Sequence, residues 1–289
     1  MIKAAVLVPA PDYPEKYDWT YEVEAAALTR GGFAVEPRPW TDPGDLGTFD
    51  VVLPLVAWGY QTDPDHWFGL LDQLERGGNC IVNPVPVLRW NTDKAYLEEL
   101  ANAGVPTVPT RLVPALDAQA IAAARQDFGP DLVIKPPVSA SAYGTHRLGP
   151  SDPIPAEAAD QPMMVQPFLR SVMGEGEYSL IYFDGQFSHA IVKQAKSGDY
   201  RVQPHLGGTE LPCDPPSGSH AVAEAALAAA PELPAYARVD LIRLNDGNLG
   251  VIELELIEPS LWLQHAPDGG ASFAAAVRKR ACQQELAKR

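Results

Sequence analysis

The 289-residue chain has only three cysteines, Cys80, Cys213 and Cys282, far apart and odd in number. They supply neither a disulfide framework nor the spacing of a metal cluster, and reduced thiols are expected. Basic residues are also scarce: 22 Lys and Arg stand against 37 Asp and Glu, for a net charge of -15. Such a surface repels a polyanion, and with no local basic run to reverse the sign, nucleic acid is not an expected partner. No apolar run approaches the roughly 20 residues of a membrane helix, so no membrane span is expected. The opening MIKAAVLVPAP runs directly into Pro9 and Pro11 and reads as a first strand and not as a secretory signal, with a cytoplasmic location the expectation. The GxxxxGK[ST] phosphate loop occurs nowhere, which excludes nucleotide binding of that type.

What is present is a globular composition, 46% hydrophobic and 20% charged, in a chain long enough for about two domains. Residues 1–85 alternate the apolar runs KAAVLVPA, AVEPRPW and DVVLPLVAW with helical patterns through Tyr21–Arg30 and near Trp67–Glu75. That alternation predicts an open, mainly parallel α/β sheet domain. A Pro-rich connector then leads to a helix opened by Asn91 or Thr92 and closed by Gly104. Residues 86–165 continue with a helix near 117–127, the strand DLVIKP and the small-residue loop SASAYGT. Residues 166–289 hold two hairpins, with Asp184-Gly185 and Asp246-Gly247 as two-residue turns and an Ala-rich helix at 220–230 between them. The expected class is α/β (α+β), an open sheet domain followed by two α+β subdomains.

Register in the second hairpin carries the chemistry. Counting outward from Asp246-Gly247 sets Asp240 opposite Glu253 and Arg238 opposite Glu255, all on one face. Val239, Leu241, Ile252, Leu254 and Leu256 fall on the other, which must be buried. Facing Cβ atoms lie about 4.5–5.5 Å apart, so three carboxylates at this density repel one another. Asp240, Glu253 and Glu255 offer the hard oxygens that Mg²⁺ prefers when it also holds phosphate. A solvated polar face is the alternative, but the apolar stretch in IEPSLWL suggests a cleft edge.

Lys135 ends the apolar strand LVIK at the mouth of a loop of small and hydroxyl residues. There Ser139, Ser141, Thr145 and backbone amides suit phosphate oxygens, and Gly144 allows close backbone approach. The strand MMVQP turns acidic and Gly-rich after Pro167, so its edge can pair with adenine while Glu175 or Glu177 meets ribose hydroxyls. Arg201, in the turn-rich GDYRVQPHLGG, suits bidentate binding of a phosphate or carboxylate. Lys94 and Lys193 taken singly read better as surface lysines, and Lys135 and Arg201 have the alternative of exposed cations.

The order NTDK, VIKPPVSASAYG, VQPFL with GEGEYS, HAIVK, DYRVQ with HLGG, RVDLI and IELELIEP resembles the ATP-grasp superfamily over residues 83–263. It is most similar to the glutathione-synthetase-like and RimK-like ligases. The wording of NTDK and ELELIEPSLWL looks most like the group that cyclises O-ureido-D-serine to D-cycloserine. The resemblance implies two subdomains clasping ATP, with Lys94 and Lys135 on its phosphates. It implies an adenine hinge at Gln166, Pro167, Phe168 and Leu169, with Glu175 or Glu177 on the ribose. It further implies one or two Mg²⁺ ions at Asp240, Glu253 and Glu255, with Lys193 and Arg201 as catalytic residues near the transferred phosphate. Glu255 departs from the Asn usual there in the wider family.

The expected activity is an ATP- and Mg²⁺-dependent ligase that forms a C–N bond through a phosphorylated intermediate on a small molecule with a carboxylate or ureido group. An intermolecular ligase acting on amino acids or peptides, a phosphotransferase and a non-catalytic nucleotide-binding module stay open, and a homodimer is compatible with the sequence. Asp12, Tyr17, Trp58 and Tyr60 are candidate substrate contacts, against the alternative of core aromatics in a sheet domain.

Overall fold

The computed structural model describes residues 1–196, 198–202 and 207–287. Gln203, Pro204, His205 and Leu206 of the GDYRVQPHLGG segment lie outside the described residues. Among those described, no helix is long and apolar enough to cross a membrane.

The first sheet has the order β2-β1-β3, with β1 (Ile2–Val8), β2 (Phe33–Pro39) and β3 (Val51–Leu53) all parallel, as the alternating pattern predicts. β1 is apolar on both faces because both are covered. Ala4, Val6 and Val8 pack with Leu28 of α1 (Asp18–Arg30) and with Phe273 and Val277 of α7 (Ala271–Ala287). Ala5 and Leu7 pack with Trp67 and Leu71 of α2 (Pro64–Gly77) and Leu88 of α3 (Val85–Thr92). Helix α7 was not evident in the sequence, and it returns the end of the chain to the first core.

The single helix expected from Asn91 or Thr92 to Gly104 is instead two, α3 and α4 (Tyr96–Asn102). α3 starts in the Pro-rich connector, since proline is compatible with a first helical turn. Asn91 therefore ends a helix, donating to the Leu254 carbonyl at 2.7 Å and accepting from the Leu256 amide at 2.8 Å. Asp93 accepts from the Ala95 amide at 2.8 Å and restarts the chain into α4. The break leaves Lys94 between two helices, with its amide donating to the Pro137 carbonyl at 2.9 Å.

The second sheet, β4-β7-β5-β6, is antiparallel and consists of β4 (Arg111–Val113), β5 (Leu132–Lys135), β6 (His146–Leu148) and β7 (Met163–Pro167). Its back is covered by α5 (Ala118–Phe128), through Ile121 and Ala124 against Leu132, Ile134 and Val165. The third sheet runs β10-β9-β8-β11-β12, from β8 (Glu177–Phe183), β9 (Gln186–Gln194), β10 (Thr209–Pro212), β11 (Tyr236–Arg243) and β12 (Leu249–Glu255). Leu97 and Leu100 of α4 and Ala223 of α6 (Ser219–Ala228) cover its back, against Leu180, Val239 and Leu254.

The first hairpin turns through Asp184 and Gly185, at φ 49° and 76°, as a two-residue turn should. The second differs. Its loop has three residues, with the Leu244 amide donating to the Asn248 carbonyl at 2.8 Å and Gly247 at φ 88°. A β-bulge between Asp240 and Leu241 restores the count, so Asp240 faces Glu253 and Arg238 faces Glu255 as expected, but Leu241 faces Val251. Ile252 is the extra residue. Expected on the buried apolar face, it leaves that face to Val251 and packs with Ile242 on the opposite side, as a two-against-one bulge requires.

Candidate active site

A cavity of about 550 Å³ separates the front faces of the second and third sheets, a size suited to a nucleotide-scale ligand, for which roughly 300–1,000 Å³ is usual. Alternation along each strand selects what faces it. From β5 come Val133 and Lys135, from β7 Gln166, joined by Pro167 where that strand ends, and from the third sheet Glu177, Lys193, Arg238, Glu253 and Glu255.

The charges are interlocked. Lys94 Nζ lies 3.1 Å from Glu253 Oε1 and donates to the Ser139 carbonyl, so it ties the loop after β5 to β12. Lys193 Nζ lies 2.7 Å from Asp240 and 3.1 Å from Glu177. Arg238 donates Nε and Nη2 to the two oxygens of Asp240, each at 2.9 Å, and also pairs with Glu255. Ser179 adds a donor to Asp240 at 2.6 Å. All four strong acceptor positions of this 1% exposed carboxylate are then occupied.

Asp240 is thus held behind the cavity wall, while Glu253 and Glu255 line it. One oxygen from each of the three lies within 4.8 Å of the others, so the sequence-predicted trio does converge. Burial pushes the Glu255 carboxyl up to about 8 despite Arg238, with Glu253, Asp240 and Glu258 adding to the rise. Burial opposes ionisation of Glu253 too, but Lys94 and Lys135 hold it below the ordinary value. Residual negative potential on hard oxygens at the cavity surface fits Mg²⁺ well. Lys135 is buried and its pKa is lowered, by desolvation first and by Lys94 as well, with Glu253 opposing. An incoming polyanion relieves that crowding of cations.

At the other end an apolar slot forms from Val108, Phe168, Leu169, Val172 and Ile242, joined by Val133 and Ile252. The Phe168 amide is committed to the Asp131 carbonyl at 2.9 Å, and Arg147 lies over the Phe168 ring at 3.9 Å from its centroid. Gln166 turns its side-chain amide to Thr110 at 2.8 Å. Ser139 and Ser141 are on the wall, with Ser141 at φ 50°.

Two expected contacts lie elsewhere. Glu175 is outside the cavity, clamped by Arg243 through two 2.7 Å bonds that hold its carboxyl below the usual range. Gly144 is also off the wall, and a Cβ there would come within 2.8 Å of the Pro136 ring, so this glycine serves the loop's own packing. Arg201 lines the cavity edge and donates to Asp199 at 2.9 Å. Trp58 and Tyr60 line the far end, whereas Asp12 and Tyr17 do not. Sequence reasoning missed Ile242, Ile252 and Val133, which look like core residues, and gave Arg238 only a place opposite Glu255. It also passed over Glu258, whose signal was an acid embedded in the apolar run IEPSLWL.

Two antiparallel sheets closing on a nucleotide-sized cleft, with paired lysines facing paired carboxylates, form the ATP-grasp arrangement, and the chain is an ATP-grasp ligase. Residues 5–83 match the family described as D-cycloserine synthetase DcsG, N-terminal domain. Over 299 residues the chain is 33% identical to the cycloserine biosynthesis protein DcsG of Streptomyces lavendulae, covering 96% of this chain and 98% of that protein. The crystal structure of D-cycloserine synthetase DcsG superposes with a TM-score of 0.82 at 30% identity, over 96% of this chain and 99% of that one. The chain belongs to this family of ATP-dependent, C–N-bond-forming ligases. A D-alanine–D-alanine ligase from Bacillus anthracis, complexed with ATP, shares the fold with a TM-score of 0.70 at 14% identity, over the full length of both chains.

Proposed function

We propose that this ligase activates an amino acid carrying a ureido group and closes it on itself, the cyclisation of O-ureido-serine to cycloserine. The observation that carries the reading is the convergence of Lys94, Lys135, Lys193 and Arg238 on Glu253 and Glu255 in one cavity, in a chain similar along its length to a cycloserine-forming relative. The purine lies in the slot of Ile242, Ile252 and Phe168 against the backbone of residues 166–169, and Glu177 takes the ribose in place of Glu175. Lys94 and Lys135 hold the phosphates. Mg²⁺, when bound at Glu253 and Glu255 with Asp240 behind them, neutralises phosphate charge and favours attack at the γ-phosphorus.

Catalysis by the chain is then positioning and charge stabilisation. A carboxylate oxygen of the substrate bonds to the γ-phosphorus as the bond to ADP breaks. The side-chain nitrogen that is bonded to oxygen next attacks the carboxyl carbon, phosphate leaves, and that nitrogen gives up its proton; water then removes the carbamoyl group as carbamic acid and returns a hydrogen to the ring nitrogen, which gives cycloserine. Lys193 and Arg201 stabilise charge on the transferred phosphate, and Arg238 stabilises the oxygen at the carbon under attack. The loop of Ser139 and Ser141, tied to Lys94, keeps water from the activated species.

The test is incubation of purified protein with ATP, MgCl₂ and O-ureido-D-serine, following ADP release and the product by mass spectrometry. ADP formed in step with a cyclised product is expected. Stable phosphorylated substrate without a new C–N bond sinks the ligase mechanism, and product that appears only with an added amine reassigns the reaction to intermolecular ligation.

A further inference from the structure

Beyond the phosphate-facing charges the cavity wall continues with Tyr13, Trp58 and Tyr60, from the segments that follow β1 and β3, and with Trp19 from the start of α1. Trp58 is fixed between Tyr13, at 6.5 Å between ring centroids, and Trp19, at 6.0 Å. Its indole donates to the Glu258 carbonyl at 3.5 Å, which docks the first domain onto the segment that continues β12. Glu258 itself lines this aromatic end.

Of the other acids on the wall, Glu253 pairs with Lys94, Glu177 with Lys193 and Glu255 with Arg238, Glu210 accepts from the Trp262 indole, and Glu15 is exposed. Among the described residues no basic side chain pairs with Glu258. Burial pushes its carboxyl up to about 7, because Lys94 offsets only part of the cost and Glu253 adds to it. A half-buried acid with no basic partner, beside aromatic rings, selects a cation. The rings bind cations through their faces but offer few oxygens to a metal ion, so an ammonium group, with three donors and a compact charge, suits the site.

We infer that Glu258, walled by Trp58 and Tyr13, is the subsite for the α-ammonium group of the amino-acid substrate. The inference rests on the proposed function, which makes the substrate an amino acid. The surroundings agree with that chemistry. An α-ammonium lies two bonds from the carboxyl carbon, and Glu258 shares the cavity wall with Lys94, Glu253 and Arg238 and lies within reach of their charges. Ligands without the amino group leave the acid unpaired and bind poorly.

The test compares KM for O-ureido-D-serine with KM for its des-amino analogue, 3-(ureidooxy)propanoate, in wild type and in Glu258→Gln. Removal of one partner of a charged hydrogen bond is expected to raise KM for the amino acid by about 10- to 100-fold, with KM for ATP within about threefold of wild type. The des-amino analogue should show no further loss in the variant, because the interaction is already missing. Glu258→Asp should retain more affinity than Glu258→Gln. Direct ATP binding confirms that both variants are folded. An unchanged KM, or an equal loss for both ligands, overturns the subsite while wild-type turnover leaves the ligase reading intact. Absence of ADP release by wild type with any amino acid overturns the ligase reading and the subsite together.

Discussion

The ammonium of Lys94 lies 3.1 Å from the carboxylate of Glu253, so a residue from the break between two helices and one from the last strand of the third sheet meet across the cavity. On the proposed function, the pair joins phosphate binding to metal binding. Glu253→Gln is therefore expected to lower ADP release by more than about 100-fold, the order seen when a preorganised charge partner is removed. Its circular dichroism should be unchanged, since the amide fills the same volume. Near wild-type turnover in this variant would remove Glu253 from the metal site.

Arg238 is held on three sides, by Asp240, by Glu255 and by the Trp262 ring, with its guanidinium 5.2 Å from the ring centroid. Lysine keeps the charge but not the fork. Arg238→Lys should lower kcat by roughly 10²- to 10³-fold with little change in KM for ATP. Arg238→Met should also destabilise the fold by about 3–5 kcal/mol, because Asp240 is left buried with fewer partners. Urea titration measures the second effect, and an unchanged midpoint would refute it.

The apolar slot gives a separable phenotype. Ile252→Ala removes contact with the proposed purine position but none of the charged residues. KM for ATP should rise about 5- to 20-fold, corresponding to roughly 1–2 kcal/mol of lost apolar burial, with kcat within about threefold. Equal damage to both parameters would place the purine elsewhere.

Glu24 tests the first domain by pH. It is 1% exposed, accepts from the Thr20 hydroxyl at 3.2 Å, and burial raises its pKa well above 4.5. A raised folded-state pKa means that stability is fully present below the unfolded value and is lost as pH rises above it, toward the folded value. Glu24→Gln removes that penalty. The variant should match wild type near pH 4 and melt at a higher temperature at pH 8, as followed by thermal denaturation. A lower melting temperature for the variant at pH 8 would contradict the sign.

The facing of Asp240 with Glu253 was legible because alternating charges and leucines tolerate one register, and a slip would bury the carboxylates. The path to it was not. A three-residue loop and a bulge each shift the count by one and cancel, and neither leaves a mark in the pattern of hydrophobic residues. The parallel first sheet was legible from the alternation of apolar runs with helical patterns. The split of α3 from α4 was hidden, because Asn91 and Thr92 are frequent helix openers yet here serve β12 and Trp67. Glu175 and Glu177 were indistinguishable in GEGEY until Arg243 was seen to occupy the first. The slot residues Ile242 and Ile252 could not be told from core, since apolar contact with a ligand and apolar contact with protein select the same side chains.

The one extra residue at the bulge sets Ile252 and Glu253 side by side on the same front, though they are consecutive in the chain. On the proposed placement of the purine, nucleobase contact and charge handling fall on adjacent positions of a single strand. Re-engineering the enzyme toward a different nucleoside triphosphate can start at Ile252 and Ile242 and leave the ionic machinery in its native register.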